Sequence, residues 1–406
     1  MKALGAVFGS VYGWERPNWF APAGYEVPAS ELNVDNVLTN ENHAPPADDG
    51  KIKEKWSFRR SNYFPFVGDE VKNVTNGVGL QDMSAFAKCI VSGPGARAWL
   101  DSIFANRIPK QRGRIALCHL LTSRGGVRAE FTLYEGAPDT FYLVSAGALE
   151  RHDHDTLKKL LPKDGSVRFT PITTSYGVLV LAGPKSREVL QSLTDTDMSN
   201  EAFPWLTGQR ISVGAVHCDV LRVNFIGELG YEFHHPIEMQ NYLFDLLMKA
   251  GAKFGIKPFG IRAMMSMAIE KSYRLVGREM SIEYSAFESG LQRFVHPNKG
   301  QFLGRDALVA WQQKGFANHF VTLEMHGIED VDARGSEPIH KGGKLIGRCT
   351  SGGYGWRLGK SLALAMVAPE YAANGTEMEV SILGKAYRAT VIAESPFDPD
   401  NARLRA

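Results

Sequence analysis

A repeated junction constrains this chain more than any other feature. VSGPGARAWLDSI at 91–103 and LAGPKSREVLQSL at 181–193 share Gly-Pro, then Arg, Leu and Ser at matching offsets, ninety positions apart. Each reads as a strand that stops at Gly, with Pro at or near the first turn of a helix, where its fixed φ and missing N–H do no harm. Two such units predict two similar α+β lobes; the alternative is a chance likeness between two common strand–turn–helix junctions.

The surrounding pattern divides the 406 residues into three zones. Residues 1–60 are rich in Pro, Asn, Asp and aromatics (ERPNWFAP, NENHAPPADDGK) and read as an arm of loop chemistry, stapled to the body by Trp14, Trp19 and Trp56. Over 61–312, β-rich runs (KCIVSG, FYLVSA, YGVLVLAG, CDVLRVNFIG) alternate with helical stretches such as MQNYLFDLLMKAGAKFG. Over 313–406, short strands cut by Gly turns take over (FVTLEMHG, SLALAMVAP, EMEVSILG, YRATVIAE), the pattern of a small barrel or sandwich. The expected class is α+β.

Composition excludes several functions. The chain carries 46 basic and 44 acidic side chains, with no run of five or six like charges, so no field gathers nucleic acid or an anionic membrane surface. No stretch approaches the roughly 18 apolar residues of a membrane helix. The first twenty residues lack a cleavage signal, and Cys89, Cys118, Cys218 and Cys349 stand far apart. The expectation is a cytoplasmic protein with reduced thiols and no metal framework.

Familiar cofactor motifs fail on spacing. GGYGWRLGKS at 352–361 has Tyr354 where a phosphate loop needs Gly, and no strand–G-x-G-x-x-G–helix unit provides a dinucleotide site. His152-Asp153-His154-Asp155 reads as the solvated start of a helix and His234-His235 as a strand end, rather than as metal ligands.

A set of segments in order carries much more information: FGSVYGWERPNWFAP, VTNGVGLQDMSAFAK, ANRIPKQRGRIALCHLLTSRGGVRAEFTLY, NFIGELGYEFHHP, FGIRAMMSMAIEKSYRLVGREMSIEYSAFESGL, KGQFLGRDAL and GRCTSGGYGWRLGKSLALAMV. Together they resemble the folate-binding family of the glycine cleavage aminomethyltransferase (T-protein). They are most similar to the C-terminal folate half of dimethylglycine and sarcosine dehydrogenases. The resemblance spans essentially the whole chain. It implies a three-domain cloverleaf, with two related α+β lobes and a C-terminal β-barrel around a central tetrahydrofolate site.

The resemblance also assigns residues. Glu228, in NFIGELGYE, matches the glutamate that accepts the paired N–H donors of the pterin, and a turn between strands would expose it. Arg262, in FGIRAM, matches an arginine of the same hole. Glu130 stands where the second of two T-protein aspartates manages a proton and favours a cationic, iminium-like species. Here the pair is Ala129-Glu130, and the extra methylene moves the carboxylate by about a bond length. Ser145 replaces an asparagine of that pattern and Leu117 a tyrosine. Tyr354 and Trp356 offer rings for folate or for a cationic substrate, or are barrel-rim aromatics. Glu270, Lys271 and Arg274 share one helix face as a substrate site or a surface ion-pair row.

Two functions fit. The first is a tetrahydrofolate-dependent methyl or aminomethyl transferase that demethylates a small N-methylated amine or sulfonium compound. The second is a non-catalytic folate-binding subunit that serves a separate flavin-dependent dehydrogenase.

Overall fold

The structure, a computed structural model, describes residues 1–28, 53–55 and 57–406. Trp56 and the NENHAPPADDGK segment lie outside the described residues.

The repeated junction folds twice in the same way. The strand Ala87–Ser92 ends at Gly93 (φ 118°) and leads into the helix Ala96–Ile103. The strand Tyr176–Ala182 ends at Gly183 (φ 120°) and leads into the helix Ser186–Gln191. A Cβ at either glycine would lie 2.4–2.5 Å from a backbone carbonyl oxygen, of Ser166 or of Val74, so both positions exclude other residues on space as well as on φ.

The likeness extends to strand order. The first lobe is a five-stranded sheet ordered Ile115–Leu121, Val127–Ala137, Thr140–Ser145, Ala87–Ser92, Arg168–Pro171. The second is six-stranded and ordered Gly208–Val213, Val216–Leu221, Gly230–Pro236, Tyr176–Ala182, Gly79–Asp82, Lys257–Pro258. In each, three consecutive strands form a meander whose third strand pairs with the junction strand.

The third unit is a closed six-stranded barrel, ordered His319–Met325, Lys360–Val367, Lys344–Gly355, Pro338–Lys341, Glu377–Ile382, Lys385–Ile392. SLALAMV reads as a continuous apolar run because its strand is buried on both faces. Ala363, Ala365 and Val367 fill the barrel, while Leu362, Leu364 and Met366 pack on Ile269 and Tyr284 outside it. Each of those larger side chains contributes about 1.5–3 kcal/mol of burial.

The arm departs from expectation. Ala6–Val11 and Trp14–Phe20 form a β-hairpin rather than a loop, turning on Tyr12 (φ 51°) and Gly13 (φ 85°), the two positive φ values of a tight hairpin turn. Pro17 is tolerated because this ribbon has only two strands, and the register shifts beside it. Trp19 is fully buried and donates to Glu54 Oε2 at 2.7 Å, while Glu70 accepts the backbone N–H of Phe20 at 2.7 Å and of Gly260 at 2.8 Å. Glu70 lies on the helix Phe64–Asn76, which buries Val67, Val71 and Val74 at helical spacing.

Candidate functional site

Glu130 lies on the strand Val127–Ala137, whose alternation separates two environments. Ala129, Phe131 and Leu133 enter the core beneath the helix Ala96–Ile103. Residues directly opposite on neighbouring strands share a face. Glu130 pairs with His119, Thr132 with Leu117 and Val144, and Tyr134 with Ile115 and Tyr142. At the tyrosine end this face is closed by the second lobe: Tyr134, Tyr142 and Val144 cluster with Leu221, and the Tyr142 hydroxyl meets His234 Nδ1 at 2.9 Å. Glu130 stands toward the other end, with 22% of its side chain exposed.

The two oxygens of Glu130 differ. Oε2 lies 3.0 Å from Nε2 of His119, whose side chain is fully buried. Oε1 has no hydrogen-bond partner among the described residues. His119 was not among the residues singled out in the sequence. Strand parity puts 119 on the face of Glu130, but the register shift between Leu120 and Leu121 that sets the two directly opposite leaves no mark in the sequence.

Ser145 falls on the opposite face from Leu117 and Glu130, since it is the neighbour of Val144. Its hydroxyl donates to Asp153 Oδ2 at 2.9 Å, on the helix Glu150–Lys159. Leu117 is on the Glu130 face and half-buried.

Glu228 corrects a second expectation. The loop before the strand Gly230–Pro236 does not expose it; the side chain is 1% exposed. Arg357 Nη1 donates to Oε1 at 2.9 Å and Arg403 Nε to Oε2 at 2.6 Å. Arg357 also binds Glu270 through Nε, and the backbone N–H groups of Arg357 and Leu358 donate to Glu270 Oε1 at 2.7 and 2.9 Å. Burial pushes both carboxyls above their ordinary range, and their arginine partners oppose it.

Glu270, Lys271 and Arg274 are not a helix-face row, because the helix Ile261–Ile269 has already ended. Glu270 is fully buried on Arg357. Lys271 Nζ donates to the carbonyls of Phe397 and Asp398, and Arg274 pairs with Glu394 at 2.7 Å. All three residues therefore anchor Arg357 or the segment after the barrel.

Arg262 opens that same helix, pairs with Glu54, and lays its guanidinium 3.7 Å from the Tyr63 ring centre. Tyr354 and Trp356 pack on each other at 5.0 Å and on Phe64 at 5.3 and 4.6 Å. They form the seam between barrel and body, immediately before Arg357. No hydrogen bond or ring contact among the described residues joins Glu130 to Glu228 or Arg262. Among the described residues no three metal-ligating side chains cluster, all four cysteines are buried and free, and no helix is long and apolar enough to cross a membrane.

Two carboxylates at lobe and barrel seams, on a doubled α+β body with a closed barrel, define a class, and comparison with known proteins identifies it. Residues 1–299 match the GCVT N-terminal domain and residues 318–398 the glycine cleavage T-protein C-terminal barrel domain. The chain belongs to this family of folate-dependent aminomethyltransferases. It is 31% identical to the aminomethyltransferase of Desulfitobacterium hafniense over 80% of this chain and 88% of that one. It is 36% identical to the mitochondrial dimethylglycine dehydrogenase of Mus musculus over 97% of this chain but 42% of that protein, so it spans less than half of that relative. The aminomethyltransferase T structure from Bartonella henselae superposes with a TM-score of 0.78, covering 98% of this chain and 96% of that one at 21% identity, which bears out the cloverleaf fold.

Proposed function

We propose that the chain is a tetrahydrofolate-dependent one-carbon transferase that demethylates a small N-methylated or S-methylated compound, with Glu130 as its working carboxylate. One observation carries this reading: Glu130 alone among the candidate acids keeps an oxygen without a partner, on the face turned toward the second lobe and at a partly exposed position. A carboxylate held this way holds a cationic amine by charge and takes up or returns a proton at Oε1. The residues fit folate unequally. Glu130 offers a free acceptor to an amine, whereas Glu228 is closed by two arginines in this conformation. Tetrahydrofolate, when bound, would supply the amine nitrogens that accept the carbon. Leu117 and Thr132, on the same face, would border the reacting groups. Tyr354 and Trp356, packed into the seam, serve primarily to place Arg357.

A second reading has its own support. The dimethylglycine dehydrogenase relative extends far beyond the matched region, which suits a folate-binding subunit working beside a separate flavin-dependent dehydrogenase. Both readings are tested by incubating the purified chain with tetrahydrofolate and a panel of methylated amines and sulfonium compounds. Formation of methyl- or methylene-tetrahydrofolate without a dehydrogenase supports the transferase. Product only when a dehydrogenase is added supports the subunit.

A further inference from the structure

We propose that His119 is the positioning residue of Glu130, holding one carboxylate oxygen so that the other is aimed at the substrate nitrogen. The inference rests on the transferase reading of Glu130 and adds the group that makes its geometry single-valued.

The hydrogen-bond inventory fixes the role. An imidazole 3.0 Å from a carboxylate oxygen places its proton on the facing nitrogen, here Nε2. His119 Nδ1 is buried and has no partner, so it is the bare lone pair of that tautomer. A second proton on Nδ1 would leave an N–H without an acceptor in a dry site, which buried polar groups avoid. His119 is therefore a fixed donor rather than a proton shuttle.

The ring has little freedom. It is fully buried, and the Phe294 ring lies 5.8 Å from it at 48°. Its backbone carbonyl accepts from Ala105 N at 2.9 Å, and its strand neighbour Leu120 bridges to Phe104. A Glu side chain has three rotatable bonds, so a single carboxylate geometry needs such a tether. The buried histidine fixes Oε2 and leaves Oε1 as the acceptor open to a ligand.

The first test does not use turnover. In full-length protein labelled with ring-15N histidine, His119→Gln identifies the resonance. The proposal expects the Nε2–H tautomer, with its Nε2 signal displaced by Glu130→Gln. An Nδ1–H tautomer, or a resonance indifferent to Glu130→Gln, overturns the pairing.

The second test uses kinetics. His119→Leu fills the space without a donor, and kcat should fall about 100-fold with KM and the tetrahydrofolate Kd within about threefold. His119→Gln, whose amide N–H reaches a similar position, should recover most of kcat. A Leu variant retaining kcat within about threefold, or a folded Gln variant as inactive as Leu, refutes the role. If wild type turns over no donor, the transferase reading fails, and the tautomer still decides the pairing.

Discussion

Arg403 Nε lies 2.6 Å from Glu228 Oε2 and ties the helical turn Ala402–Arg405 to the loop before the strand Gly230–Pro236. With Arg357 on the other oxygen, each oxygen of Glu228 already holds a cationic donor, and a pterin gains a two-pronged contact most readily where one arginine withdraws. Arg403 is the one that can, being 36% exposed where Arg357 is 2% exposed and held by four acceptors.

A first prediction concerns that competition. Arg403→Met frees Oε2 and should tighten tetrahydrofolate binding about tenfold, near 1.4 kcal/mol. Glu228 is buried but keeps Arg357, so the fold should lose about 1–3 kcal/mol, the cost of removing one donor from a buried carboxylate. Calorimetric titration gives the Kd; an unchanged or weakened affinity means that Glu228 is not the pterin contact.

The seam between barrel and body gives a second. Glycine to alanine inside a helix ordinarily stabilises by about 0.5–1 kcal/mol. Gly68, in the helix Phe64–Asn76, is an exception, because an added Cβ would lie 2.8 Å from the Trp356 ring. Gly68→Ala should therefore destabilise by about 1–3 kcal/mol, as overpacking does, and change the tryptophan fluorescence. Urea titration followed by fluorescence checks both, and a stabilised variant with unchanged emission removes the steric argument.

Glu70 makes stability depend on pH. Burial raises its carboxyl from an ordinary 4.5 to about 7, only partly opposed by the N–H groups of Gly260 and Phe20. The folded chain then binds more protons here than the unfolded chain between pH 4.5 and about 7. Stability from this group is whole below pH 4.5 and falls as pH rises through about 7, by about 3 kcal/mol in all. Thermal melts of wild type and Glu70→Gln across this window should show their difference in Tm changing with pH and levelling above it. Parallel curves would exclude the effect.

How much was legible in the sequence depended on distance along the chain. The two Gly-Pro junctions and the barrel strands are written in neighbouring residues, and the fold follows from them. The arm was misread because Pro17 and its aromatics suggested a loop, while the Tyr12-Gly13 turn went unweighed. Strand parity, which separates Ser145 from Leu117, was readable once Thr132 was paired with both Leu117 and Val144. The burial of Glu228 was not readable. Its partners lie 129 and 175 positions away, in the barrel and after it, and no local spacing records them. The same holds for Glu270 and Lys271, whose partners Arg357, Phe397 and Asp398 arrive through tertiary packing.

The central claim is that Glu130 works on the transferred carbon's partner amine rather than on the fold or on folate binding. Glu130→Gln keeps the side-chain length and a hydrogen bond with His119 while removing the charge. The most direct measurement is the rate of methyl- or methylene-tetrahydrofolate formation by this variant, taken beside its tetrahydrofolate Kd. The expected result is a rate lowered at least about 100-fold with Kd within about threefold of wild type; a variant that turns over like wild type removes Glu130 from the chemistry.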